Sequence, residues 1–170
     1  MVMTTDDKTR ILDAVQVKQK IKRMAFEIYE NHMKEKFIVL AGIDGQGYAL
    51  AKLLVKQIEL VSPIKVILVR VLLNKDKPQQ DLVQLDCDIK EIKKRAIIVV
   101  DDVLNTGRTL AYSLRPFLET EVKSIEVAVL VNRSHTSFPI SPKYTGYELA
   151  TTINEHVEVI LGKETAVNLK

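Results

Sequence analysis

Two adjacent carboxylates follow an apolar run, and a turn with one glycine and two threonines follows them. The run covers Ala96 to Val100, the acids are Asp101 and Asp102, and the turn spans residues 105–109. Ionised carboxylates only accept hydrogen bonds, so a neighbouring pair can bind both hydroxyls of a vicinal diol. Two like charges at one strand end repel each other unless a ligand or an ion uses them. The pair therefore indicates a binding site for a diol.

The turn after the acid pair has the composition of a phosphate-binding loop. Gly107 permits a tight turn, while Thr106 and Thr109 place hydroxyls beside amides that are free where a helix begins. Such amides bind an anion without a lysine. The acid pair and the turn together predict a ribose 5-phosphate site, although either half alone is more typical of an acidic turn and a capped helix. The predicted phosphate-binding residues are Asn105, Thr106, Gly107, Arg108 and Thr109.

This segment resembles the phosphoribosyl pyrophosphate (PRPP) motif of the type I phosphoribosyltransferase family. A second similarity, from Ile125 to Gly146, is to one branch of the family, the pyrimidine operon regulators and uracil phosphoribosyltransferases. With Ile11-Leu-Asp and Leu50-Ala-Lys-Leu-Leu it extends over most of the chain. The resemblance implies transfer of ribose 5-phosphate from PRPP to a nucleobase, with uracil as the expected base. It also implies Mg²⁺, carried by PRPP rather than by direct protein ligands, and assigns Asp101 and Asp102 to ribose binding and electrostatics.

Apolar runs alternate with helical patterns, which predicts an α/β fold with a doubly wound, mainly parallel five-stranded sheet in a single domain, residues 1–170. In such sheets, ligands lie outside the carboxyl ends of the strands. The predicted strands are Phe37 to Gly42, Lys65 to Leu73, Ala96 to Val100, Ile125 to Val131 and Val157 to Leu161. The predicted helices are Val15 to Met33, Tyr48 to Leu60 and a third that opens near Thr106, which Pro116 should kink or shorten.

A glycine-rich turn follows the first predicted strand, and its free amides could hold a second anion. By itself the pattern is equally typical of a simple tight turn, but the resemblance implies that this is the family's pyrophosphate loop. The branch usually has Thr-Arg-Gly here, so this chain lacks that arginine, and Asp44 would repel pyrophosphate unless turned away or bridged by a metal. The sequence offers Arg70, Lys75 or Lys77 as replacement cations without placing them. The predicted loop residues are Ile43, Asp44, Gly45, Gln46 and Gly47.

The polar segment Asn74 to Asp81 corresponds to the small flexible hood that closes over the active site in the family. Its sequence departs from the branch's Tyr-Arg-Asp pattern. By resemblance, Asn132, Arg133 and His135 lie near the base, although an exposed arginine and a turn-capping histidine are equally good interpretations. Purine-salvage relatives place an aspartate where this chain has Asn105. Asn cannot accept a proton in the same way, which disfavours a 6-oxopurine.

Composition limits the class of protein. A chain of 170 residues, 46% of them hydrophobic, can bury one core. A single cysteine excludes an internal disulfide, and no apolar run approaches the roughly 20 residues that span a bilayer. The net charge of +3 is too weak to indicate nucleic acid by itself. We therefore expect a cytoplasmic protein with no membrane partner, and the family implies a homodimer or higher homo-oligomer.

Two other functions remain open from the sequence. One is an RNA-binding regulator of pyrimidine genes, for which Lys18, Lys20, Lys22 and Arg23 form a basic cluster. Such a cluster on a helix is more often a solvated face. The other is a degenerate domain that binds PRPP or nucleotide with little turnover, which the altered loop and hood favour.

Overall fold

A computed structural model describes residues 8–77, 79 and 82–170. Residues 78, 80 and 81 of the predicted hood lie outside the described residues. The strands are β1 (Thr9–Leu12), β2 (Phe37–Ile43), β3 (Lys65–Leu72), β4 (Gln84–Leu85), β5 (Ala96–Leu104), β6 (Ser124–Asn132), β7 (Tyr144–Glu148), β8 (Val157–Ile160) and β9 (Ala166–Leu169). The helices are α1 (Ala14–Asn31), α2 (Gln46–Val61), α3 (Ile89–Ile92), α4 (Arg108–Ser113) and α5 (Arg115–Leu118).

The central sheet has the strand order β4-β3-β2-β5-β6-β7, and every pair except β3 with β4 is parallel. The predicted doubly wound, mainly parallel sheet is therefore confirmed. Alternate side chains of a strand point to opposite faces, and both faces of this sheet are buried. Leu40 and Ile98 pack in the core beneath α1 and α2, whereas Val39 and Ile97 pack in a second core with Phe117. This rigid sheet fixes where β2 and β5 end.

The fifth parallel strand is β7, and the prediction that Val157 to Leu161 supplies it is wrong. That segment forms β8, which belongs to a separate antiparallel sheet in the order β1-β9-β8. In β7, Tyr144 and Gly146 are buried, and the residues between and beyond them are partly or fully exposed. A strand at the edge of a sheet needs only these few buried positions, so it carries no continuous apolar run.

Helix α1 begins at a capping box, and the α4 helix is cut short by a proline. Asp13 caps α1 because its side chain accepts from the Gln16 amide, while the Gln16 side chain accepts from the Asp13 amide. The predicted effect of Pro116 is present, since α4 ends at Ser113 and a new short helix, α5, carries Pro116 in its first turn. In the first turn of a helix the amides have no partner within the helix, so the amide hydrogen that proline lacks is not needed. Within the described residues, no helix is long and apolar enough to cross a membrane.

Candidate active site

The carboxyl end of β5 carries the acid pair. Asp101 is 3% exposed and the Asp102 side chain 18% exposed, so the second carboxylate is the more accessible of the two. The backbone then turns at Gly107, whose φ of 87° lies in the left-handed region that favours glycine, and α4 follows. Thr106 Oγ1 accepts from the Arg108 amide at 3.3 Å, which shapes this turn. Strand, acid pair and turn form one continuous unit.

An open cavity of about 390 Å³ lies over this unit. One side consists of Asp101, Asp102 and residues 103–110, so all the predicted phosphate-binding residues border the same space as the acid pair. Lys75 and residues 156–159 line it as well. The strand that the sequence assigned to the wrong sheet, β8, therefore supplies a wall of the cavity. Nothing in the apolar pattern of residues 157–161 indicated this position.

Lys75 is the cation at the acid pair. Its Nζ lies 3.1 Å from Asp101 Oδ1 and 3.9 Å from Asp102 Oδ1. Burial lowers the pKa of Lys75, but the attraction of both aspartates outweighs burial and raises that pKa above its ordinary value. Burial raises the pKa of Asp101 to about 7, against the opposing effect of Lys75 and with support from the negative charge of Asp102. One carboxyl of the pair thus titrates near neutrality.

The predicted pyrophosphate loop lies beside the acid pair because Gly47 permits a very close approach. A Cβ atom on Gly47 would lie 2.9 Å from both Asp101 Oδ1 and the Val100 carbonyl oxygen. Gly45, with φ 95°, precedes α2 and has open space around it. Glycine at position 45 therefore permits a backbone conformation with positive φ, whereas glycine at position 47 permits close packing.

Asp44 of this loop is exposed and pairs with Arg70 of β3, whose Nε lies 3.6 Å from Asp44 Oδ1. The guanidinium of Arg70 also stacks 4.1 Å from the centre of the Tyr48 ring. Of the three cations that the sequence offered, Arg70 lies at the pyrophosphate loop, and Lys75 lies at the acid pair. Lys77 lines a smaller cavity of about 170 Å³ together with Thr106 and Thr109.

The three residues predicted to lie near the base are each held by hydrogen bonds to neighbouring groups. Arg133 is 7% exposed, and its guanidinium donates to Asn105 Oδ1 at 2.8 Å and to Thr151 Oγ1 at 2.9 Å. His135 Nε2 lies 2.6 Å from the Thr151 carbonyl oxygen. Asn132 accepts from the Ser134 amide and contacts Glu148. None of the three is among the described residues that line the 390 Å³ cavity, whereas Asn105 is.

Residues 7–161 match the sequence family described as the phosphoribosyl transferase domain. The chain belongs to this family. A Bacillus pumilus protein named Bifunctional protein PyrR is 35% identical over 167 residues, which cover 93% of each chain. A Clostridium botulinum protein of the same name is 32% identical over 163 residues, or 92% of this chain and 91% of that protein. These relatives confirm the resemblance to the pyrimidine operon regulator branch.

Solved structures agree on the phosphoribosyltransferase fold. The hypoxanthine phosphoribosyltransferase of Trypanosoma cruzi superimposes with a TM-score of 0.79 over 95% of both chains, at 14% identity. A hypoxanthine-guanine phosphoribosyltransferase from Bacillus anthracis gives a TM-score of 0.68 over 82% of this chain and 81% of that one, at 18% identity. At such low identity, the similarity is evidence for the shared fold alone.

Proposed function

We propose that the protein is a PRPP-dependent phosphoribosyltransferase that converts a pyrimidine base, uracil, to its nucleoside 5′-monophosphate and releases pyrophosphate. The observation that supports this most strongly is that the acid pair and the Gly107 turn border one cavity. A ribose 5-phosphate needs both parts at once, since its diol requires acceptors and its phosphate requires donors.

In this proposal the substrate lies across the carboxyl end of β5. The 5′-phosphate binds to the amides and hydroxyls of residues 105–109, and the ribose hydroxyls donate to Asp101 and Asp102. The pyrophosphate extends toward residues 43–47, where Arg70 supplies positive charge beside Asp44. The close contact at Gly47 supports this placement because it brings the loop against the acid pair.

The reaction is a substitution at the anomeric carbon. A base nitrogen forms a bond to that carbon, the bond to the pyrophosphate oxygen breaks, and pyrophosphate leaves with the electron pair while the proton on that nitrogen passes to solvent. Positive charge develops on the sugar in a glycosyl transfer. The carboxylates of Asp101 and Asp102 lie where they stabilise this charge electrostatically. We assign them no covalent step.

Mg²⁺ fits this site as a companion of PRPP. Among the described residues there is no group of three or more His, Cys, Asp or Glu that could hold a metal ion, so PRPP itself would supply most of the oxygens that hold Mg²⁺, beside the acid pair. Mg²⁺ keeps several waters and binds through substrate phosphates with one or two carboxylates, which matches such a pair. When bound, it neutralises charge on the departing pyrophosphate.

The decisive experiment measures pyrophosphate release with Mg²⁺, PRPP and one base at a time: uracil, orotate, adenine, guanine or hypoxanthine. We expect release with uracil and none with the purines. PRPP binding without turnover on any base would contradict the enzyme and favour a degenerate binding domain. The double variant Asp101→Asn with Asp102→Asn serves as the control that keeps side-chain shape, and its turnover should fall by at least about a hundredfold.

A second candidate function is regulation through RNA, because the relatives are named bifunctional. The basic cluster on α1 offers it limited support. Lys20 lies over the Tyr147 ring at 5.6 Å, and Arg23 donates to the Gly146 carbonyl oxygen at 2.6 Å, so both are engaged with β7. Lys18 and Lys22 remain exposed. Filter binding to the leader RNA of its own pyrimidine genes tests this role, since phosphate contacts predict affinity that falls steeply with salt.

A further inference from the structure

Arg133 is a buried arginine whose hydrogen bonds converge on one loop and one side chain. It donates from Nε to Thr151 Oγ1 and from Nη2 to the carbonyl oxygens of Thr152, at 3.1 Å, and of Glu155. Its Nη1 donates to Asn105 Oδ1 at 2.8 Å. The guanidinium therefore ties the start of the phosphate turn to residues 151–155, which lead directly into the cavity wall at 156–159.

The chemistry of this contact fixes the orientation of the Asn105 amide. A guanidinium has five donors and no acceptor, so only the oxygen of the amide can face it. The amide nitrogen, a donor, is then the polar group that Asn105 can offer to a ligand. Asn105 is exposed and lines the cavity, whereas Arg133 does not line it.

We propose that Arg133 is a positioning residue that locks Asn105, and that the locked amide nitrogen selects a base presenting a hydrogen-bond acceptor, such as a ring carbonyl oxygen. The inference rests on the proposed function, because it assigns the base to the space beside Asn105. Asn105 then touches the base through a donor group, and Arg133 acts through Asn105.

The location of Asn105 in the cavity supports this assignment. The cavity that the phosphate turn and the acid pair line is also lined by Val157 and Val159 of β8, both apolar, and by the polar residues His156 and Glu158. A flat base needs apolar surface for its faces and a few placed polar groups for its edge. Asn105 is the first residue of the phosphate turn, directly after β5, and its side-chain oxygen accepts from Arg133.

Comparing two ligands isolates the contribution of the base. Isothermal titration measures the dissociation constants of UMP and of ribose 5-phosphate, which differ by the base alone. We expect Asn105→Asp to reduce the preference for UMP by about tenfold, because the carboxylate keeps its contact with Arg133 but offers no donor. Arg133→Lys should reduce the same preference about fivefold, since a point charge cannot hold the amide as the planar guanidinium does.

A double-mutant cycle separates positioning from general damage. On an Asn105→Ala background, Arg133→Lys should leave the UMP preference unchanged, since there is no amide left to orient. Thermal unfolding shows in each case whether the variant is folded. A wild type that binds both ligands, with variants that keep its UMP preference or with Arg133→Lys effects that persist without Asn105, would overturn this inference alone. A wild type that binds neither ligand would overturn the proposed function and this inference with it.

Discussion

Lys75 Nζ lies 3.1 Å from the Asp101 carboxylate, so the segment that follows β3 contacts the end of β5. The contact joins a lysine that is 40% exposed to an aspartate that is almost fully buried. Burial raises the pKa of Asp101 to about 7, and Lys75 limits that rise. The protonation state of this carboxyl is therefore sensitive to pH in the range where an enzyme would work.

The first prediction concerns the stability cost of ionising Asp101. Its pKa is near 3.8 ordinarily and about 7 in the folded protein, so the native state binds more protons between these values. The stability that protonated Asp101 contributes is therefore fully present below about pH 4 and is lost as the pH rises through about 7. Asp101→Asn should melt about 4–10 °C above wild type at pH 8, and the gain should vanish toward pH 4. Calorimetry across this range would contradict the assignment if the difference stayed constant.

The second prediction concerns the effect of Lys75 on the pKa of Asp101. Because Lys75 lowers the pKa of Asp101 by attraction, Lys75→Met should raise that pKa further. Ribose 5-phosphate affinity, which depends on carboxylate acceptors, should then reach half its maximum about one pH unit higher than in wild type. Lys65→Met is the control, since it removes the same charge from an exposed position at the other end of β3, and its midpoint should not move. Equal midpoints for Lys75→Met and wild type in titrations from pH 5 to 9 would refute the coupling.

The third prediction tests the close approach of α2 to β5. A Cβ atom at Gly47 would lie 2.9 Å from Asp101 Oδ1, so Gly47→Ala must push the helix start away from the acid pair. We expect a loss of about 1–3 kcal/mol in the free energy of unfolding, measured in urea. Glu59→Ala, exposed on the same helix, should change it by less than about 0.5 kcal/mol. Unaltered stability in Gly47→Ala would contradict this prediction, because it would show that the loop can move away from β5 without loss.

The sequence was sufficient for the parts of the fold that depend on local pattern. Strand β2 and the first five residues of β5, Ala96 to Val100, are apolar throughout, because they are covered on both faces, and the acid pair follows at the carboxyl end of β5. The acid pair and the Gly107 turn are contiguous in the chain, so their meeting in one cavity needed no long-range information. The sheet to which β8 belongs could not be read in this way. The sheet of β8 is set by its pairing with β9, and the alternation of residue types along a strand does not indicate which strand it pairs with.

The burial of charged and titratable residues also could not be predicted from the sequence. Arg133 is buried because carbonyl oxygens of Thr152 and Glu155 reach it from another segment, and only the folded chain brings them together. His32 is likewise buried at the end of α1, where its Nε2 lies 3.2 Å from Glu126. Nothing near His32 in the sequence indicates that contact, since Glu126 lies on β6.

The fourth prediction concerns this distant cluster, in which Tyr144 donates to Glu126 at 2.6 Å. Burial opposes ionisation of Glu126, but hydrogen bonds from His32 and Tyr144 outweigh it and lower the pKa to about 2. The cluster's contribution is thus present above about pH 4.5 and lost as the pH falls through about 2. Tyr144→Phe should cost about 1.5–3 kcal/mol at pH 7 and progressively less below pH 4.5, whereas Tyr147→Phe on the same strand should cost under about 0.5 kcal/mol. Denaturation curves in which the cost of Tyr144→Phe is the same at pH 7 and pH 3 would show that the pKa of Glu126 does not depend on the Tyr144 hydroxyl.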